Sequence, residues 1–224
     1  VMVGVDPSGP GEATTVVEDH QVGGIFVGGD ATDLLTGGVL PTLRAGAPLG
    51  LMVAVDEEGG RVQRIEGLDG DVPSAREMAA TMTTDEVRDL AARRGGVMAE
   101  HGVTVDLAPV VDVSDQPDRT VIGDRSWSDD PATVTAYAGA YADGLLEAGV
   151  APVLKHFPGH GEASADSHEG AASTPPLDVL RDRDLLPYAE LLPALGTRTA
   201  VMLGHLDVPG LTEPGVPASL SPAT

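Results

Sequence analysis

The sequence predicts an α/β fold built from βα units, and three observations predict it. Short runs that are apolar throughout alternate with stretches of helical periodicity. A polar, chemistry-bearing residue follows most of these runs. No Gly-x-Gly-x-x-Gly fingerprint follows the first run, which weighs against a doubly wound dinucleotide-binding sheet. Together these point to a (β/α)₈ TIM barrel, whose active site gathers at the carboxyl ends of its strands.

The runs cover residues 1–5, 25–27, 51–55, 103–111, 150–154 and 200–203. Uninterrupted apolar character, rather than alternation, is the mark of parallel strands buried on both faces. The residues that follow are Asp6, Asp56, Asp112, Lys155 and His205, after the first, third, fourth, fifth and sixth runs. Between the runs, Thr83-Thr84-Asp85-Glu86 reads as a capping box that starts a helix. Asp130-Pro131 reads as an N-cap followed by proline at the first helical position. Val134, Tyr137, Ala138, Tyr141, Leu145 and Ala148 then recur at helical spacing up to Gly149. The helical region over 30–43 is short and is expected to pack loosely, and residues 67–74 and 115–129 read as long loops.

Six units in 224 residues is about 37 residues each, whereas eight would need roughly 300. The expectation is therefore a barrel truncated after about six βα units, with residues 1–224 forming the N-terminal portion of one barrel domain of a longer polypeptide. An unclosed barrel otherwise leaves two bare sheet edges.

Composition narrows the function. Thirteen basic against 35 acidic residues give a net charge of −22, which repels a phosphate backbone and excludes nucleic acid as a partner. No apolar run approaches the roughly 18 residues of a membrane span. The absence of cysteine removes disulfides, thiolate nucleophiles and Cys-ligated zinc. Twelve of the thirteen basic residues are arginine, so the single lysine, Lys155, marks a position that calls for a compact ammonium.

The chemistry concentrates in Lys155-His156-Phe157-Pro158-Gly159-His160-Gly161, followed by Asp166-Ser167-His168. This stretch holds three of the six histidines in a long aperiodic segment, which in a globular domain is usually functional. Asp166 and His168 stand two apart, a spacing that projects both to one side of an extended segment. An aspartate so placed steers the histidine tautomer and stabilises its imidazolium. His156 and His160 also admit a metal reading, with Asp112 and His205 as further ligands from strand ends. Asp56-Glu57-Glu58-Gly59-Gly60-Arg61-Val62-Gln63-Arg64 offers a carboxylate that accepts hydroxyl protons and two arginines that donate; a surface ion-pair cluster is its competing reading. Ile122-Gly123-Asp124-Arg125-Ser126-Trp127 adds an arginine and the one tryptophan, an aromatic face suited to a sugar ring or to the core.

These motifs, with Leu107-Ala108-Pro109-Val110-Val111-Asp112 and Pro217-Ala218-Ser219-Leu220-Ser221-Pro222, resemble the family-3 glycoside hydrolases, in particular the β-N-acetylhexosaminidase branch. The resemblance runs through the whole chain in order, and its most specific part is the Lys-His-Phe-Pro-Gly-His-Gly segment with its Asp-Ser-His. It implies a retaining exo-hydrolase that removes terminal N-acetylglucosamine from peptidoglycan or chitin fragments. It implies that Asp56, Arg64, Arg125, Lys155 and His156 bind the sugar, that His168 is the acid/base, and that Asp166 is its partner. It places the nucleophilic aspartate beyond residue 224, so that these 224 residues alone are expected to be inactive. Trp127 stands where the family usually carries phenylalanine. A histidine acid/base does not repel an anionic acceptor, so phosphate and water both stay open as acceptors. No cofactor or metal is called for. The expected partner is an N-acetylglucosamine-containing glycan, the expected state a monomer, and the expected location exported or cell-envelope associated, with the cytoplasm as alternative. A metal-dependent barrel hydrolase and a non-catalytic sugar-binding remnant are the competing functions.

Overall fold

The computed structural model describes residues 1–47, 50–166 and 170–224. Its strands are β1 (Met2–Val5), β2 (Gly24–Val27), β3 (Met52–Val55), β4 (Val105–Asp106), β5 (Ala151–Phe157), β6 (Ala172–Ser173), β7 (Ala200–Leu203) and β8 (Leu206–Asp207). Its helices are α1 (Pro10–Glu18), α2 (Thr32–Thr36), α3 (Val39–Gly46), α4 (Glu66–Asp69), α5 (Ala75–Thr81), α6 (Thr84–Glu100), α7 (Pro131–Glu147), α8 (Leu177–Asp182) and α9 (Leu186–Leu195).

One parallel sheet carries the strands β1-β2-β3-β4-β5-β7 in chain order. That monotonic order is the order of a barrel wall; a doubly wound sheet reverses at a switch point. The chain thus forms a six-stranded arc of a TIM-barrel-like α/β fold, with β1 and β7 at its edges. Strands β6 and β8 pair separately as a small ladder beyond the carboxyl end of the arc.

In the middle of the sheet the apolar runs are covered on both faces, whereas the edge strands are not, with Met2 36% and Leu203 44% exposed. Ile25, Val53, Val55 and Leu154 have no exposed surface. The major helices start where the sequence predicts. The Thr83 hydroxyl and the Glu86 carboxylate close a capping box on α6, and Asp130 accepts the Thr133 amide at 2.9 Å to cap α7. On α7, Val134, Ala138, Tyr141 and Leu145 are buried. Helices α6 and α7 approach so closely that a Cβ at Gly144 would lie 2.3 Å from the Arg88 carbonyl oxygen, so only glycine fits there. Among the described residues no helix is long and apolar enough to cross a membrane.

Three expectations are corrected. The run 103–111 pairs as a strand only over Val105–Asp106. Beyond it the Leu107 amide bonds to Val55 and the Val111 amide to Lys155, while Pro109 has no amide to offer a ladder. The fifth strand continues past residue 154 to Phe157, so Lys155 and His156 lie within β5 rather than in the loop after it. The 30–43 region is short but not loosely packed: it holds α2 and most of α3, and Leu34, Leu35, Leu40 and Leu43 are buried against the sheet.

Candidate active site

The turn after β3 is shaped by two glycines. Gly59 and Gly60 take φ of +89° and +56°, and a Cβ at Gly59 would fall 2.5 Å from the Pro73 carbonyl oxygen. The turn brings Arg64 back over Asp56. Its Nε donates to Asp56 Oδ1 at 2.5 Å and its Nη2 to Oδ2 at 2.8 Å, a forked pair of charge-assisted bonds. Both side chains stay about one-fifth exposed, at 20% and 18%, so the pair remains open to a ligand.

Glu58 joins this turn to two other strand ends. Arg125, on the loop after β4, donates Nε to Glu58 Oε2 at 2.7 Å and Nη2 to Oε1 at 2.8 Å. Lys155 of β5 sets its ammonium on the same Oε1. Burial alone would raise the Glu58 carboxyl, but Lys155 and Arg125 outweigh it and pull the pKa down to about 2. Glu58 is 6% exposed and Lys155 3%, so both charges are desolvated and mutually compensated. Asp56 also acts electrostatically on Arg125, and Glu58 on Arg64, so the two clusters are contiguous.

A third cluster centres on Asp112. Its Oδ2 lies 2.7 Å from His156 Nδ1, and its Oδ1 accepts the amides of His156 at 3.3 Å and His160 at 2.7 Å. Burial pushes the imidazole of His156 down; Asp112 pulls it back up only in part. The neutral ring so favoured is assigned the tautomer that carries its proton on Nδ1 toward Asp112. Its Nε2 then faces Arg125 Nη2 at 3.4 Å. Burial would raise Asp112, but His156 and the His160 amide hold it low.

Beneath these clusters lies a layer of fully buried groups. Asp106 of β4 accepts the Glu57 amide at 2.8 Å, and burial pushes its carboxyl well above the usual range. The carboxylates of Asp56, Glu57 and Glu58 face the cations of Arg64, Arg94, Arg125 and Lys155, and Asp112 faces His156.

The profile of the glycosyl hydrolase family 3 N terminal domain matches residues 2–224. The chain belongs to glycoside hydrolase family 3. It is 58% identical over 215 residues to beta-hexosaminidase LpqI of Mycobacterium tuberculosis, which covers 95% of this chain and 54% of the relative. A GH3 glycosyl hydrolase from Mycobacterium smegmatis superposes with a TM-score of 0.92 at 56% identity, covering 99% of this chain and 67% of that one. A family 3 β-N-acetylglucosaminidase from Paenibacillus sp. FPU-7 does so at 0.88 and 27% identity, over 99% of this chain and 43% of the other. The chain spans about half the length of the curated relatives it matches, 54% for LpqI.

In this family 3 chain the structure brings together Asp56, Arg64, Arg125, Lys155 and His156, five of the seven site residues read from sequence. Asp166 lines a neighbouring cleft of about 600 Å³ with Arg61, Gln116, Arg119, His160 and Gly161. His168 lies outside the described residues, and so does the pairing expected between it and Asp166. Arg61 does not join Asp56; it binds Asp124 at 2.9 Å and three carbonyls of the 120–122 loop. Trp127 is core, not a sugar platform: it is 3% exposed, donates Nε1 to the Val110 carbonyl at 3.0 Å, and stacks on Tyr137 at 5.7 Å.

The alternative metal set does not assemble. His205 Nδ1 sits 2.7 Å from Ser219 Oγ, Asp112 meets His160 through its backbone amide, and among the described residues no three His, Asp or Glu side chains converge as a metal would need.

Sequence reasoning missed Glu58 as the hub, Asp112 as the partner of His156, and the Glu57–Arg94 pair. One signal was available for Arg94. It shares a helical face with Val87, Leu90, Ala91 and Met98, and a cation in an apolar stripe must find a buried anion.

Proposed function

We propose that this chain supplies the sugar-binding part and the acid/base of a retaining β-N-acetylhexosaminidase that removes terminal N-acetylglucosamine from peptidoglycan or chitin fragments. The observation that carries the reading is the contiguous set Asp56–Arg64, Arg125–Glu58–Lys155 and His156–Asp112 at the carboxyl ends of β3, β4 and β5. A pyranose offers hydroxyls that both donate and accept. Asp56 accepts from them, and Arg64, Arg125 and Lys155 donate to them; each is already oriented by an ion pair, so little reorganisation accompanies binding. The name of LpqI as a beta-hexosaminidase and of the Paenibacillus protein as a β-N-acetylglucosaminidase support the same substrate class.

In this reading His168, charged and steadied by Asp166, gives its proton to the glycosidic oxygen as the bond to the anomeric carbon breaks. A carboxylate outside these 224 residues attacks that carbon from the opposite face. Water then adds to the anomeric carbon, His168 takes its proton, and the carboxylate leaves, so that configuration is retained.

The test is kinetic, on the complete protein with an aryl N-acetyl-β-glucosaminide. His168→Ala is expected to lower kcat by about 10²–10⁴-fold, and proton NMR is expected to show the β-anomer as the first product. A full-rate variant removes His168 from its role, and an α-anomer removes the retaining mechanism.

A further inference from the structure

Helix α6 packs outside the sheet, yet one of its side chains reaches the layer under the site. Arg94 has no exposed surface. Its Nη2 donates to Glu57 Oε1 at 2.6 Å, and its Nη1 donates to the Gly70 carbonyl at 2.8 Å and the Asp69 carbonyl at 3.3 Å. Glu57 is equally buried. Its second oxygen, Oε2, accepts the backbone amides of Arg64 at 2.6 Å and Ile65 at 3.1 Å.

The rest of Glu57 is held as well. Its amide donates to Asp106 Oδ1 at 2.8 Å, and its carbonyl accepts the Tyr141 hydroxyl at 2.7 Å. Glu57 stands between Asp56, which Arg64 meets, and Glu58, which Arg125 and Lys155 share. Every polar atom of this one residue is therefore tied down, and its side chain pins the backbone from which Arg64 returns to Asp56.

A fully buried ion pair is a poor way to gain stability. Desolvation offsets most of the attraction, and well-packed apolar residues of similar volume commonly do as well or better. What apolar residues cannot do is accept the amides of residues 64 and 65. The feature that distinguishes the pair from a hydrophobic contact is thus geometric: it sets the conformation of the Asp56–Arg64 turn.

We infer that Arg94 and Glu57 are positioning residues for the sugar site, with Arg94 holding the Glu57 carboxylate against the amides of Arg64 and Ile65 so that Arg64 meets Asp56 from one direction. The inference rests on the sugar-binding reading of Asp56 and Arg64. Neither residue touches substrate; both act through the turn.

The experiment compares KM, kcat and melting temperature of the complete protein on an aryl N-acetyl-β-glucosaminide. Glu57→Leu/Arg94→Met replaces the pair by apolar side chains and removes the acceptor. It is expected to fold but to melt below the parent, because the amides of residues 64 and 65 and the carbonyls of residues 69 and 70 lose their partners, with KM raised at least tenfold and kcat within about threefold. Glu57→Gln/Arg94→Met removes both charges but keeps an amide-accepting oxygen with no guanidinium to aim it, and its KM is expected at least threefold above the parent but below that of the Leu/Met variant. A parent-like KM in the Leu/Met variant overturns the inference, as does equal impairment of the two double variants. Should the Leu/Met variant not fold, Arg94→Lys carries the test, because a point donor cannot span Glu57 and the two carbonyls. At least threefold higher KM is expected there, and a parent-like KM overturns the inference. Asp56→Ala run alongside separates the two levels. If it leaves KM unchanged, the sugar-site reading and this inference fall together; if it raises KM while the Leu/Met variant does not, only this inference falls.

Discussion

His156 and Asp112 meet through a 2.7 Å contact between Nδ1 and Oδ2, across a separation of 44 residues. The same carboxylate takes the amides of His156 and His160, so a single buried aspartate fixes both the ring and the backbone of the histidine segment. Removing it leaves the ring edge-on to His160 and beside Arg125 and Lys155, both of which oppose its protonation. Asp112→Ala is expected to lower the His156 pKa further, read from the imidazole proton shifts on pH titration, and to raise KM about tenfold or more. A His156 titration that moves upward contradicts the arrangement.

Glu58 makes a pH-dependent contribution whose sign is set by its partners. Its carboxyl titrates at about 2 in the fold against 4.5 ordinarily. The stabilisation is therefore complete above about pH 4.5 and is lost as pH falls from there through about 2. Glu58→Gln leaves Lys155 and Arg125 buried without their counter-charge, a loss of about 3–5 kcal/mol near neutrality. Urea unfolding at pH 7 and pH 3 is expected to show the gap between parent and variant narrowing at the lower pH. A gap independent of pH removes the ionised carboxylate as the cause.

Asp184 works in the opposite direction. It is 1% exposed, and burial, aided by the negative charges of Asp112 and Glu162 and opposed by Arg183, lifts its carboxyl to about 7. A raised carboxyl favours the fold while protonated, so stability falls as pH rises from about 4 through 7. Asp184→Asn is expected to flatten that slope, with a gain over the parent of about 1–4 kcal/mol at pH 8 relative to pH 4. Parallel stability curves for parent and variant across this window reject it.

Trp127→Phe tests the core assignment. The variant keeps an aromatic ring against Tyr137 and Tyr141 but loses the bond to the Val110 carbonyl. A loss of about 1–3 kcal/mol is expected for the unpaired buried carbonyl and lost volume, with KM within about twofold of the parent. A KM raised tenfold at unchanged stability returns the ring to the sugar.

Much of the fold and part of the site were legible because their determinants are local. Apolar runs mark strands by periodicity, Thr83 and Asp130 mark helix starts by capping, and Asp56 meets Arg64 across only eight residues through a glycine turn. Lys155 stood out by composition alone, and the histidine segment by its lack of periodicity. The strand limits were less legible, because Pro109 and the pairing partners of β5, not residue type, decide where the ladder runs.

Local signals alone carry the βα rhythm, the family likeness and the identity of five side chains that the fold gathers at one end of the sheet. Which charges meet is set by the folded chain. Glu58 reaches Arg125 over 67 residues, and Glu57 reaches Arg94 over 37. No spacing rule connects such positions. Their pairing follows from where the strands and helices deliver each charge, and from the rule that a charge taken out of water must find its opposite.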